Sequence, residues 1–129
     1  MASTKDTLEP IVKAFVAGDV QAVLTGLDEG VVVHVPGSNQ LSGDYKGHEG
    51  FMEFVGKVMG ATGGVFALTP HEILGGTGEH ATGVYNMKAT RDGKAFEWRQ
   101  VNVYHINGGK VTEVWQSIHE FEAWNRFWQ

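Results

Sequence analysis

Residues 79–118 read EHATGVYNMKATRDGKAFEWRQVNVYHINGGKVTEVWQSI, and this stretch decides the fold. Apolar and polar side chains alternate along it, interrupted at Asp92-Gly93 and at Asn107-Gly108-Gly109. Such pairs accept the positive φ that a short hairpin turn needs. The spacing predicts strands over about 79–90, 95–106 and 111–118, each joined to the next by a hairpin. A further strand over about 65–74 leads in through Gly75-Gly76-Thr77-Gly78. Four strands in hairpin order make an antiparallel sheet, and strands this long twist.

Upstream the period changes. Leu8, Ile11, Val12, Phe15 and Val16 recur at helical spacing. Thr7 as N-cap would put Pro10 in the first turn, where its missing N–H costs nothing. Gly18 ends that helix, and Asp19 caps a second one carrying Val20, Val23, Leu24 and Leu27. Val31–Val35 is β-branched except for His34 and is stopped by Pro36-Gly37, which predicts a strand. Residues 38–47 read as a loop, and Phe51, Met52, Val55, Val58 and Met59 mark a third helix. Phe121, Trp124 and Trp128 suit a short terminal helix. The expected architecture is one α+β domain over 1–129. In it a cone-shaped, curved antiparallel sheet holds three helices from the N-terminal half in its concave face, with a short C-terminal helix added. An apolar pocket is expected between the layers.

Composition narrows the function. The 129 residues carry a net charge of −5 with no basic run, which speaks against nucleic acid or an anionic membrane as partner. The absence of cysteine excludes a thiol nucleophile and Cys-ligated zinc. Asp6 and Glu9 stand where a secretory signal would be apolar, so a cytoplasmic location is expected. The His/Glu neighbours His48-Glu49, His71-Glu72 and Glu79-His80 lack the spacing that puts two ligands on one helix face, so no metal is expected. The run Gly75–Gly78 lacks the Lys-Ser/Thr of a phosphate loop. No cofactor is implied.

The order of elements and four segments resemble the SnoaL-like group, which includes polyketide cyclases and ketosteroid isomerases, within the nuclear-transport-factor-2-like superfamily. The segments are Ala17-Gly18-Asp19; Val33–Ser38 followed by Leu41–Gly47 running into Phe51 and Phe54; Val103–Trp115; and Phe127-Trp128. The resemblance covers nearly the whole chain and implies the cone-shaped fold. For function it implies a range from isomerases, cyclases and dehydratases to non-catalytic binders.

His34 is the leading candidate for chemistry. The resemblance sets it in the stretch where ketosteroid isomerases carry their general base. An imidazole suits that role because its ordinary pKa lies near neutrality. The other reading is a histidine that points to solvent or is satisfied in the core. The positions resembling the isomerases' two oxyanion donors are Ile11 and Val101, which speaks against steroid isomerisation by that mechanism. If Val101 and Val103 face the pocket, His105 does too, and Gln100, Asn102 and Tyr104 lie on the opposite face. On the last strand Val114, Gln116 and Ile118 are expected to face inward. Gln116 then needs a partner, either a ligand carbonyl or a neighbouring strand. His119 or Glu120 stands near the place of an acidic residue in SnoaL-like relatives, and either could orient His34, or each could be a cap or surface residue. Tyr45 either donates to substrate from the loop at the pocket mouth or is a packed aromatic.

Two readings follow. One is an enzyme doing cofactor-free acid–base chemistry, namely isomerisation, dehydration or cyclisation of a small, largely apolar oxygenated molecule. The other is a non-catalytic ligand-binding or interaction module. Both expect a homodimer, with Trp98, Gln100, Asn102 and Tyr104 as the mixed aromatic–polar contact.

Overall fold

The computed structural model describes residues 3–129. The first helix, α1 (Thr4–Ala17), starts earlier than Thr7 because Ser3 closes a capping box with Asp6. The Ser3 hydroxyl accepts the Asp6 N–H, and the Asp6 carboxylate accepts the Ser3 N–H, both at 3.2 Å. Pro10 therefore sits inside the helix and removes the hydrogen bond that its position would return to the Asp6 carbonyl. Pro10→Ala is expected to stabilise the fold by about 1–3 kcal/mol, because the residue is exposed and the helix regains a backbone hydrogen bond. A shift of the urea midpoint to higher concentration checks this; an unchanged midpoint would mean that the helix has absorbed the proline without cost.

Gly18 closes α1 at φ 74°, and Asp19 caps α2 (Val20–Gly26) by accepting the Ala22 N–H. Strand β1 (Leu27–Val35) follows. Within the segment read as a loop, Gly43–Lys46 forms a short edge strand, β2, paired with β1. Four residues rich in Gly, Asp and Lys carry too little β signal to be read alone. Then come α3 (Gly47–Thr62), β3 (Phe66–Gly75), β4 (His80–Arg91), β5 (Lys94–Asn107), β6 (Lys110–Ile118) and α4 (Phe121–Phe127). No helix among the described residues is long and apolar enough to cross a membrane.

The six strands form one sheet in the order β2-β1-β6-β5-β4-β3. It is mixed rather than wholly antiparallel: β1 runs parallel to β6. No hairpin joins those two strands, so nothing local forces an antiparallel sense. At the other edge Pro70 is accommodated in β3 beside a register shift between Pro70 and Glu72. The helices fill the concave face. Leu8 and Val12 of α1, Val58 of α3 and Trp124 of α4 are all buried against it.

One local irregularity sets which side chains enter the concavity. The turn pairs Asn107 with Lys110 and Ile106 with Val111. Continued without a break, that register would put Val103 opposite Val114 and Val101 opposite Gln116. Instead His105 pairs with Glu113, leaving Thr112 as an extra residue. From there on Tyr104 faces Val114, Asn102 faces Gln116 and Gln100 faces Ile118. A bulge of one residue inverts the faces of a strand relative to its partner. Trp98, Gln100, Asn102 and Tyr104 consequently line the interior, and Val101, Val103 and His105 point to the outer face. The expectations that those three line the pocket, and that Trp98–Tyr104 cover an outer dimer contact, are both overturned by this bulge.

Candidate functional site: a hydrogen-bonded ladder in the concave cavity

A cavity of about 120 Å³ lies between the sheet and the helices. Its walls are mainly apolar, from Leu8, Phe54 and Val58 on the helical side to Val33, Trp98 and Trp128 on the other. A void of about 150 Å³ accepts a benzene ring, so this one suits a compact group of about that size. No Asp, Glu, Lys, Arg or His is among its lining residues.

Its polar groups are concentrated on β5 and its neighbours. The Trp98 Nε1–H donates to Gln100 Oε1 at 3.0 Å, the Gln100 Nε2–H donates to Asn102 Oδ1 at 3.0 Å, and the Asn102 Nδ2–H donates to the Tyr104 hydroxyl at 3.1 Å. The Tyr104 and Tyr85 hydroxyls then meet at 2.7 Å. Strand geometry makes this possible, because residues two apart share a face. The sense of the ladder is set at its start. An indole N–H can only donate, so Gln100 must turn its oxygen toward Trp98 and its NH₂ toward Asn102. Two phenolic hydrogens exist at the far end and only one is used between the rings, so one remains for a ligand. Aligned hydrogen bonds of this kind polarise one another.

Burial pushes both phenols up, Tyr85 far above the ordinary phenol range, with the neighbouring Tyr104 hydroxyl adding to the effect. They are neutral donors at any physiological pH. Opposite Asn102, the Gln116 side chain also lines the cavity and has no protein hydrogen bond among the described residues. The buried Nε1–H of Trp128, whose ring forms part of the wall, likewise has no protein partner among the described residues. A buried indole N–H is rarely left so; an oxygen atom of a bound molecule would accept it, and the half-buried Gln116 amide stands in the same wall.

His34 lies elsewhere. Val31, Val33 and Val35 turn inward and are buried, and the pairing of Val33 with Val114 sends His34, with Trp115, to the outer face. There it bridges three strands. Its Nδ1 meets Asp44 Oδ1 of β2 at 2.7 Å, its Nε2 meets Glu113 Oε2 of β6 at 2.5 Å, and its ring stacks on Trp115 at 5.8 Å. Two carboxylate acceptors ask both ring nitrogens to donate, which favours imidazolium. The hydrogen bonds to Glu113 and then Asp44 raise its pKa above 6.5, against an opposing effect of burial. A raised folded-state pKa means stability that is fully present below the unfolded value of 6.5 and is lost as pH rises through the folded value. Relative to His34→Gln, the wild type is therefore expected to be more stable by roughly 1 kcal/mol at about pH 5.5, the scale of a partly screened pair. The advantage should shrink at alkaline pH. Urea unfolding at both pH values measures it, and a gap that widens with pH would contradict the bridge.

The remaining candidates are also placed away from the ladder. His119 and Glu120 are exposed beside Arg99 on the outer side; the His119 N–H donates to the Arg99 carbonyl and the Glu120 carboxylate accepts the Arg99 N–H. Neither is a partner of His34. Tyr45 is buried against Phe54, donates its hydroxyl hydrogen to the Leu41 carbonyl at 2.8 Å and accepts from Lys57 at 3.2 Å. It is the packed aromatic of the two readings. His105 contacts Thr112 Oγ1 and packs edge-on to His80 on the outer face. Ile11 is in the cavity wall. The residues missed by the sequence reading are Gln100, Asn102, Tyr104 and Tyr85. A signal for three of them existed: Glu97 and Arg99 share the parity of Val101 and Val103, and two charges in a row of alternate positions mark the solvent face.

The chain matches the SnoaL-like domain model over residues 8–114. An uncharacterized protein of Mycobacterium tuberculosis (strain ATCC 25618 / H37Rv) is 26% identical over 115 residues, spanning 89% of this chain and 88% of its own. The structure of Bal32a, from a soil-derived mobile gene cassette, superimposes with a TM-score of 0.90 at 27% identity, covering 96% of this chain and 95% of that one. An NTF2-like protein of Burkholderia pseudomallei gives a TM-score of 0.79 at 21% identity over 91% of each chain and shares the fold.

Proposed function

The chain belongs to the SnoaL-like domain family, and from that premise we propose that it binds a small, neutral, largely apolar molecule in the concave cavity and holds one of its oxygens on the β5 ladder. The ladder carries this reading. Four side chains on one strand and Tyr85 on the next spend their hydrogen bonds on one another and leave one phenolic hydrogen over at the end facing the cavity. An uncharged interior favours a neutral guest, since burying an unpaired ion costs several kcal/mol, on the order of a lost salt-bridge partner or more.

A catalytic version of the same site is the second reading: a cofactor-free isomerase, lyase or cyclase, as the family also includes. The phenol pair kept protonated by burial favours it, because its one remaining hydrogen would stabilise negative charge developing on a carbonyl oxygen. The lining offers no carboxylate or imidazole as general base, so such a reaction would rely on polarisation and orientation of a substrate that supplies its own proton transfer. A homodimer remains part of the proposal, now through the outer face, where Trp115 is exposed beside Val101 and Val103.

Binding can be read from the protein itself, because Trp98, Trp124 and Trp128 surround the cavity. Titration with 4-methylphenol should give a saturable change in tryptophan fluorescence, and 4-methylbenzoate should not. Preference for the carboxylate would overturn the reading of a neutral guest.

A further inference from the structure

A second, more open groove of about 360 Å³ runs between the α1–α2 corner and α3. It adjoins the cavity: Phe15, Val23, Phe51, Phe66 and Leu68 line both, so only side chains stand between the two. Its outer rim is formed by Val16, Val20, Met52 and Met59, which are 52%, 40%, 39% and 39% exposed. These are half of the large apolar side chains left exposed among the described residues, gathered at one opening. Scattered exposed apolar residues need no explanation, but a contiguous patch marks a binding surface. The rim carries one charge, Asp19, whose carboxylate is already engaged by the Ala22 N–H at 3.2 Å. Methionine adapts its shape to a guest at little cost.

We propose that the natural ligand has two parts: a compact oxygenated head, of the size of one ring, in the cavity, and an uncharged apolar extension lying in this groove. Alkyl-substituted phenols and aryl ketones are the chemical class. The inference rests on the reading of the cavity as a ligand site. The cavity alone is too small for a head and a tail, and the groove offers apolar walls without any cation to hold an acidic end. The tail therefore leaves the protein between α1–α2 and α3, its far end among Met52, Met59, Val16 and Val20.

The test is a series of 4-alkylphenols from methyl to octyl, titrated against the wild type and against Met52→Glu and Met59→Glu. Each methylene buried in the groove should tighten binding about three- to fourfold until the chain emerges into water. In the two variants that gain per methylene should be reduced or lost, because the added carboxylate must be desolvated or must stay in the tail's path. Binding of 4-methylphenol without any gain along the series overturns the groove and leaves the cavity standing. A gain that is the same in the variants as in the wild type also overturns it, since the chain would then lie elsewhere. Failure of every member to bind overturns the cavity reading and this inference with it.

Discussion

Gly83→Ala is expected to destabilise the protein by about 1–3 kcal/mol and to weaken ligand binding with it. A methyl group at Gly83 would lie 2.0 Å from the Tyr85 hydroxyl oxygen, 2.3 Å from Cζ and 2.8 Å from Cε2. Residues 83 and 85 share a face of β4, and the Tyr85 ring lies back over the position where the glycine has no side chain. The ring cannot simply move aside. Tyr85 is 1% exposed, and its hydroxyl is held at 2.7 Å by Tyr104. Either the strand shifts, at an overpacking cost of about 1–3 kcal/mol, or the phenol swings out and leaves a buried partner unpaired at about the same cost. Urea unfolding of the variant measures the cost of whichever occurs. A loss under about 0.5 kcal/mol, the range of an ordinary surface substitution, would mean that Tyr85 does not occupy this place.

Asn102→Leu is expected to lower affinity for a neutral phenol at least tenfold and to reduce stability by about 1–3 kcal/mol. Asn102 stands in the middle of the ladder. Without it the Gln100 NH₂ has no acceptor and the Tyr104 hydroxyl loses its donor. The leucine is close in volume, so the loss is not one of packing. The two halves of the ladder come apart: Trp98–Gln100 on one side, Tyr104–Tyr85 on the other. The pair of phenols is then free to rotate its hydrogens, and the donor presented to the ligand is no longer set. His34→Gln, on the outer face, is the matching control and should leave phenol affinity within about a factor of two, because sites without shared partners act independently. Equal losses in both variants would contradict the placement of the site.

The fold was largely legible because its signals are local. Asp92-Gly93 and Asn107–Gly109 mark two hairpins, and the helix stop at Gly18 separates α1 from α2; strand β1, however, starts at Leu27, which its spacing assigns to the second helix, four residues before the β-branched run at Val31. Asp19 and Gly18 cap as their chemistry dictates. Strand β2 escaped because pairing with β1, not its own residues, makes it a strand. Helix α1 starts earlier than Pro10 alone suggests, because the Ser3–Asp6 capping box supplies a stronger start than a first-turn proline.

The site was less legible, and for one reason. Facing is a matter of register, and one extra residue at Thr112 exchanges the two faces of β5 relative to β6. Turn chemistry announces a hairpin but not a bulge five residues from its start. His34 stood out in a valine run, yet period-2 alternation alone already separates it from Val33 and Val35. The question was which set points inward, and the buried partner Val114 decides it. The ladder itself is visible in the sequence only as four alternate residues, Trp98, Gln100, Asn102 and Tyr104, each able to donate to the next.

The proposed guest site is the inner face of β5 and β6, away from His34. Side-chain amide and indole N–H resonances of ¹⁵N-labelled protein, followed during titration with 4-methylphenol, test it most directly. Saturable shifts are expected for the Asn102 and Gln116 amides and the Trp128 indole, with the Trp115 indole unmoved. Shifts confined to Trp115 and to the His34 ring would place the guest on the outer face and contradict it.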